Sequence, residues 1–198
     1  MSPFISIIIP FYGTADPVLL QRCLDSIRRQ GMEEGSYEII VVDDNGKGLG
    51  GARNQGIRQA TGTYLMFVDA DDYLFPNLSY CFPYLLKYTP DVCSFQMCEV
   101  NRPGVIPQSF NYKWEVYESG AEYMSKNNFM GTAWRHFFSR SFLNIHGLAF
   151  AESCFHEDED FVAKHIAWHR LLSLLIIRFM PILEVPLLLF TKELCKYV

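Results

Sequence analysis

The first 75 residues predict an α/β fold built on a doubly wound, mostly parallel sheet. Two observations carry this expectation. Three short apolar runs, ending near Ile9, Val42 and Asp69, have the density of strands covered on both faces. The stretches between them carry helical spacing and helix-end residues. Strand, helix, strand, helix, strand implies parallel pairing through crossover helices.

The elements follow in order. Phe4 to Ile9 (FISIII) is rich in β-branched residues and reads as the first strand. Asp16-Pro17 reads as an N-cap with proline at the first helical position, and Leu20, Cys23, Leu24 and Ile27 recur at helical spacing. Gly31 ends that helix. Glu38 to Val42 (EIIVV) is the second strand, running into Asp43-Asp44. The stretch NGKGLGG (Asn45 to Gly51) reads as a flexible turn before a helix over Ala52 to Ala60, which Gly62 stops. Tyr64 to Asp69 is the third strand.

Beyond it, a helix is expected over Pro76 to Lys87, a strand over Val92 to Val100, and a turn at Asn101 to Gly104. Ser119 caps a helix through Lys126. Trp134 to Ser139 reads as a strand. His156 to Trp168 reads as a helix with an acidic first turn, as the helix dipole favours. No repeat or linker divides the chain, so a single domain over residues 1–198 is expected.

Composition bounds the function. Hydrophobic residues make up 49% and charged residues 20%, a globular balance that excludes disorder. The aromatic share of 15% suits a groove as well as a core. A net charge of −5 argues against a nucleic-acid surface, and an anionic ligand would need a local cation or metal. Six cysteines without a C-x-x-C pair, and no export signal at the start, imply reduced thiols in the cytoplasm.

In parallel α/β sheets ligands bind beyond the carboxyl ends of the strands. Here those ends carry Pro10-Phe11-Tyr12-Gly13, Asp43-Asp44-Asn45 and Asp69-Ala70-Asp71-Asp72. Neighbouring carboxylates repel and are costly to desolvate, so this density asks for a positive partner. On an extended chain Asp69 and Asp71 would share one side and approach a common cation. Oxygen donors suit Mg²⁺ or Mn²⁺. Asp72 would face the other way and cap the helix near Pro76. The glycine stretch does not follow the first strand, as a dinucleotide turn should, and it lacks the phosphate-loop pattern. Arg53, just inside the following helix, could reach a phosphate.

Other candidates divide between chemistry and packing. His165 and His169, four residues apart, lack an evident third metal ligand and read as surface residues. His156 reads equally as a third metal ligand or as a helix-start residue. Trp134, His136, Phe137 and Phe138 read as core. Tyr112, Trp114 and Tyr117 would either stack on sugar rings or pack.

The blocks IIPFYG, CLDSI, EIIVVDD, GLGGARNQGIRQATGTYLMFVDADD and HEDEDF, in this order, resemble the family 2 glycosyltransferases. The resemblance covers about Pro3 to Ala167. It implies a Rossmann-like, three-layer α/β/α nucleotide-diphospho-sugar transferase fold of glycosyltransferase A type. Residues 1–100 would bind the nucleotide sugar and residues 101–170 the acceptor. Pro10 and Tyr12 would line the nucleotide pocket, Asp43 or Asp44 would contact uracil or an equivalent base, and Arg53 would lie near the donor phosphates. Asp69 and Asp71 would be the D-x-D pair for Mn²⁺ or Mg²⁺, with Asp69 and Ala70 beside the donor sugar. Asp158 would be the base, with Glu157 and Glu159 pointing elsewhere around the helix. Asn45-Gly46 stands where the family usually has Gly-Ser.

These features imply an inverting, metal-dependent transfer from a nucleoside diphosphate sugar, with a uridine donor favoured, to a glycan or lipid-linked acceptor in cell-surface glycan synthesis. A nucleotidyltransferase would want a basic glycine-rich loop after the first strand, where PFYGTAD stands. A non-catalytic nucleotide-sugar-binding module is the other alternative. Residues 171–198 depart from the family: Leu171 to Phe190 is unusually apolar but contains Arg178, Glu184, Pro181 and Pro186, against an ordinary membrane span. A core strand plus a partner-covered helix is expected there, with contact at the inner face of the membrane as the alternative. A homo-oligomer stays open.

Overall fold

Each of the three apolar runs forms a strand, and the glycine-rich stretch between two of them forms a helix. The computed structural model describes residues 2–11, 16–43, 46–74, 78–95, 114–127, 131–167, 174–177 and 190–191. β1 (Ile5–Phe11) is buried from Ile5 to Pro10. α1 (Pro17–Arg28) starts where the sequence indicates: Asp16 accepts the Val18 N–H at 2.8 Å, and Pro17 opens the first turn. β2 (Tyr37–Asp43) lies parallel to β1 in a register that sets Asp43 opposite Phe11.

α2 (Gly48–Gln59) begins four residues before Ala52, so most of the glycine stretch is helix and not a flexible turn. Gly46 and Gly48 make the bend with φ of +77° and +73°. Gly50 and Gly56 have a different reason. A side chain at Gly50 would collide with the Ala151 carbonyl, and one at Gly56 with Ile8 of β1. The helix is pressed onto its neighbours at both ends.

β3 (Tyr64–Phe67) pairs parallel with β1 on the side away from β2, with Phe67 opposite Ile8. It ends two residues earlier than Asp69, because the Asp72 N–H closes a turn onto the Asp69 carbonyl at 3.0 Å. β4 (Tyr73–Leu74) follows. The helix expected from Pro76 is a 3₁₀ turn at Leu78–Cys81 and then α3 (Phe82–Tyr88). Pro83, at the start of α3, lacks the N–H that would continue a single helix.

β5 (Val92–Phe95), β6 (Trp114–Tyr117) and α4 (Gly120–Lys126) come next. Ser119 Oγ accepts the Glu122 N–H at 3.1 Å and caps α4 as its sequence indicates. β7 (His136–Ser139) starts two residues later than Trp134, after a 3₁₀ turn. α5 (Arg140–His146), without a counterpart in the sequence reading, and α6 (Glu157–Ala167) complete the helices, and β8 (Leu174–Ile177) and β9 (Phe190–Thr191) the strands. The strand and turn expected over 96–104 lie outside the described residues.

The main sheet has the order β2-β1-β3-β7-β5-β8-β6. Five of its seven strands run one way, and β7 and β6 run against them. Strand alternation divides the core. Ile5, Ile7 and Ile9 pack with Cys23 and Ile27 of α1 on one face, while Ile8, Leu65 and Phe67 pack with Ala52 of α2 and Phe161 of α6 on the other. This is the expected three-layer α/β/α arrangement. β8 lies between β5 and β6 in the sheet, within the apolar C-terminal stretch, while the helix expected there falls outside the described residues; among the described residues no helix is long and apolar enough to cross a membrane. Because the chain leaves β1 for β2 on one side and returns to β3 on the other, the crevice beyond β1 and β3 is the topological switch point.

Candidate functional site

Pro10, buried, and Asp43, exposed, close β1 and β2 at this crevice, and Asp69 follows β3. Tyr12 and Asp44 lie outside the described residues. Two arginines reach this acid-rich turn. Arg22 of α1 donates to the Asp71 carbonyl at 2.7 Å, with its guanidinium 4.9 Å from the centre of the Tyr73 ring. Arg53 of α2 reaches Asp69 Oδ1 at 3.0 Å.

The turn at 69–72 bears on two expectations. The carboxylates of Asp69 and Asp71 are not successive same-side positions of an extended strand, because the backbone folds back at Ala70-Asp71. Asp72 is buried, at 1% exposure, and a strand, β4, follows it directly. The acids crowd the buried thiol of Cys23 on α1. Burial first, then the charges of Asp72, Asp69 and Asp71, push that thiol up to about 12, so it is inert as a nucleophile.

The side chain of Arg53 is only 1% exposed, and its second terminal nitrogen donates to Glu157 Oε1 at 2.8 Å. Both terminal nitrogens of the guanidinium therefore engage carboxylates. Arg53 ties the turn after β3 to the first residue of α6. The forked geometry permits this, since a planar guanidinium can serve two acids at once. Asn54, the next residue, grips the same region: its amide donates to the Phe150 carbonyl at 2.9 Å and accepts the Phe150 N–H at 2.8 Å. Phe150 in turn stacks on Phe161 of α6 at 3.8 Å.

The four acids opening α6 therefore divide. Glu157 points inward to Arg53. Glu159 is exposed beside His156, with Nδ1 to Oε1 at 3.4 Å, and Asp160 pairs with Lys164 at 2.6 Å. Asp158 is left partly exposed on the helix that Arg53 holds. His156 sits just before the helix on the surface, where the helix-start reading fits it.

Oxygen donors of the kind Mn²⁺ or Mg²⁺ takes are present. Arg53 engages one carboxylate oxygen of Asp69 and leaves the other, with the Asp71 carboxylate on the same tight turn. Among the described residues no three His, Cys, Asp or Glu side chains form a ready-made cage. A hard divalent ion commonly completes its shell with substrate phosphates, so the donor set fits such an ion in kind.

The remaining aromatic and histidine candidates whose side chains are described pack. His165 is fully buried among Phe138, Phe142 and Phe161 and not on the surface, and His169 lies outside the described residues. His136 hydrogen-bonds Ser94 Oγ at 2.7 Å within the core, and Tyr117 packs on Tyr123. Tyr112 lies outside the described residues, and the side chain of Trp114 is likewise not described. The partnership of Arg53 with Glu157 had no signal in the sequence, because it joins residues 104 positions apart.

Comparison with known proteins agrees with this architecture. Residues 6–47 and 45–144 match the model for glycosyl transferase family 2. Over 97 residues the chain is 37% identical to the poly(ribitol-phosphate) beta-glucosyltransferase of Bacillus spizizenii, covering 35% of this chain and 15% of that protein. Over 139 residues it is 29% identical to a PGL/p-HBAD biosynthesis glycosyltransferase of Mycobacterium bovis, covering 57% of this chain and 51% of the relative. The chain thus spans about half or less of the length of these relatives. Among solved structures, S. aureus TarS 1-349 in complex with UDP-GlcNAc superposes with a TM-score of 0.74 at 22% identity, over 98% of this chain and 59% of that one. The mannosyltransferase PcManGT of Pyrobaculum calidifontis, in complex with GDP-Man and Mn²⁺, gives 0.63 at 16% identity, over 99% of this chain and 58% of its own. At such identities these structures speak for the fold. With the family model matching well over half of the residues, on the strands and helices that build the crevice, this chain belongs to glycosyl transferase family 2.

Proposed function

We propose that this chain transfers a sugar from a nucleoside diphosphate donor to an acceptor hydroxyl, with inversion, in the synthesis of a cell-surface glycan. The observation that carries the reading is the Asp69–Arg53–Glu157 bridge, which fixes an acid-rich turn at the switch point against the helix bearing Asp158. In this reading residues 1–100 hold the donor and residues 101–170 receive the acceptor. Pro10, Tyr12, Asp43 and Asp44 would serve the nucleotide, Asp69 and Ala70 the donor sugar, and Arg53, tied to both acids, would lie near the donor phosphates.

The step is a single displacement. The acceptor oxygen forms its bond to the anomeric carbon as the bond to the diphosphate oxygen breaks, and Asp158 takes the hydroxyl proton. Mn²⁺ or Mg²⁺ held by Asp69 and Asp71 would neutralise charge on the departing diphosphate. A uridine base is favoured, because the Asp43 carboxylate can accept from its N–H, which cytosine lacks at that position. The relatives' names, and the UDP-GlcNAc in the complex of the similar TarS, support the same substrate class.

The test is thermal stabilisation by a panel of nucleotide sugars with and without Mn²⁺, followed by a transfer assay with those that bind. Stabilisation by uridine diphosphate sugars and release of uridine diphosphate on transfer are expected. A donor at a hundredfold its Kd adds about 2.7 kcal/mol. A clear preference for cytidine diphosphate would overturn the donor assignment, and tight donor binding without turnover would reduce the chain to a binding module.

A further inference from the structure

Phe155 is 94% exposed, the most exposed of the large apolar side chains among the described residues. Single apolar residues on a surface need no explanation, and Val18 and Ile145 are such cases on ordinary helices. Phe155 is held differently. The residues on either side of the Cys154-Phe155 pair, Ser153 and His156, are non-glycine residues with φ of +57° and +61°. Left-handed backbone of this kind is uncommon and costs free energy, so the surrounding contacts must impose it.

Those contacts are visible. The Ser153 N–H donates to the Lys47 carbonyl at 3.0 Å, Lys47 pairs with Glu152 at 3.3 Å, and the Asn54 amide reaches Glu152 at 3.4 Å. Gly131 packs so closely on Glu159 that a side chain there would collide with the α6 backbone. The segment is pinned on both flanks, and the phenyl ring is turned out into solvent three residues before Asp158.

The surroundings select the ligand. An acyl chain or membrane surface would call for a contiguous apolar patch, and anionic lipid would call for cations. In the chain Phe155 is flanked instead by the exposed Glu152 and the partly exposed Asp158, carboxylates that accept hydrogen bonds and repel phosphate, and the cation of this loop, Lys47, is already paired with Glu152. A ring flanked by hydrogen-bond acceptors suits a neutral polyhydroxyl ring, whose C–H face lies on the aromatic while its hydroxyls reach the acids.

We infer that Phe155 is the platform on which a neutral sugar ring of the acceptor stacks, delivering its hydroxyl toward Asp158. This rests on the glycosyltransferase reading of the site. It also names the acceptor class: a glycan end carrying an uncharged ring.

Saturation-transfer NMR with methyl β-glucopyranoside and methyl β-galactopyranoside as probes tests it, on the full chain with uridine diphosphate and Mn²⁺. Saturation should reach the ring C–H protons of one sugar face in the wild type and in Phe155→Tyr. Binding in Phe155→Ala should be weaker by roughly 3- to 10-fold, the scale of one aromatic contact. Because the side chain is exposed, the melting temperature of Phe155→Ala should match wild type. An undiminished response in Phe155→Ala, or none in the wild type, overturns the platform. Sedimentation with phosphatidylglycerol vesicles that depends on Phe155 would also overturn it, assigning the ring to a membrane. Uridine diphosphate binding, read by thermal shift on the same samples, is a separate arm. Its absence in the wild type would sink the glycosyltransferase reading while the glycoside response still judges Phe155.

Discussion

The two acidic segments of this molecule, Asp69 to Asp72 and Glu157 to Asp160, look alike in sequence and behave differently. In the first, the chain turns back on itself, Asp72 is buried, and Arg22 and Arg53 reach in from two helices. In the second, the acids occupy the first turn of α6, and only Glu157 is drawn inward while the others face solvent or a surface lysine. What joins them is Arg53. The lesson is that a dense acidic run is not one functional unit: each residue's neighbours decide whether it is structural, catalytic or merely solvated.

Asp158→Asn should break the second segment chemically and leave its structure intact. Turnover should fall about 10²- to 10⁴-fold, the usual contribution of a general base, with donor affinity unchanged. A transfer assay beside a donor titration reads both, and near-normal transfer would mean the base is another acid. Arg53→Leu breaks the connection instead. Removing one member of a buried charge cluster leaves Glu157 buried and uncompensated, which typically costs about 3 to 5 kcal/mol. Urea unfolding should show this as a lowered midpoint, and a midpoint within error of wild type would refute the bridge as a structural element.

The first segment is probed more gently. Asp71→Asn should remove most of the Mn²⁺ dependence of uridine diphosphate binding, on the order of 10-fold in Kd, or about 1.4 kcal/mol. Equal binding by the wild type in chelator and in Mn²⁺ would remove the basis for a metal at this turn. The smallest effect is expected at Glu159→Gln. Its carboxylate faces His156 across a mostly exposed pair, so transfer and melting temperature should both stay at wild-type values. A large loss there would erase the distinction between Glu159 and Asp158.

The N-terminal half was legible because its signals are local. The Asp16-Pro17 cap, the β-branched runs of β1 and β2, and the alternation that splits the core between two faces are all readable within a few residues. The turn after β3 was misjudged because an apolar run says where burial continues and not where hydrogen bonding to the next strand stops. Val68 still donates to Ile8, at 3.0 Å, although β3 ends at Phe67. α5 had no strong apolar period to announce it. His165 looked like a surface residue because a lone histidine pair usually is, whereas Phe138, Phe142 and Phe161 enclose it through contacts from two other elements and its own helix. The partner of Glu157 could not be named, because Arg53 lies 104 positions away.

The glycines of α2 have a kinetic corollary. Gly50, Gly51 and Gly56 lie within the helix, and each weakens helix formation by roughly 1 kcal/mol relative to alanine. Such a segment has little reason to coil in the denatured chain, and it acquires its shape only against Ile8 and Ala151 once those surfaces exist. Arg53 and Asn54 travel with it, so the clasp between the turn after β3 and α6 should be among the last parts of the molecule to lock during refolding. Mutations at Arg53 should then speed unfolding and scarcely slow folding.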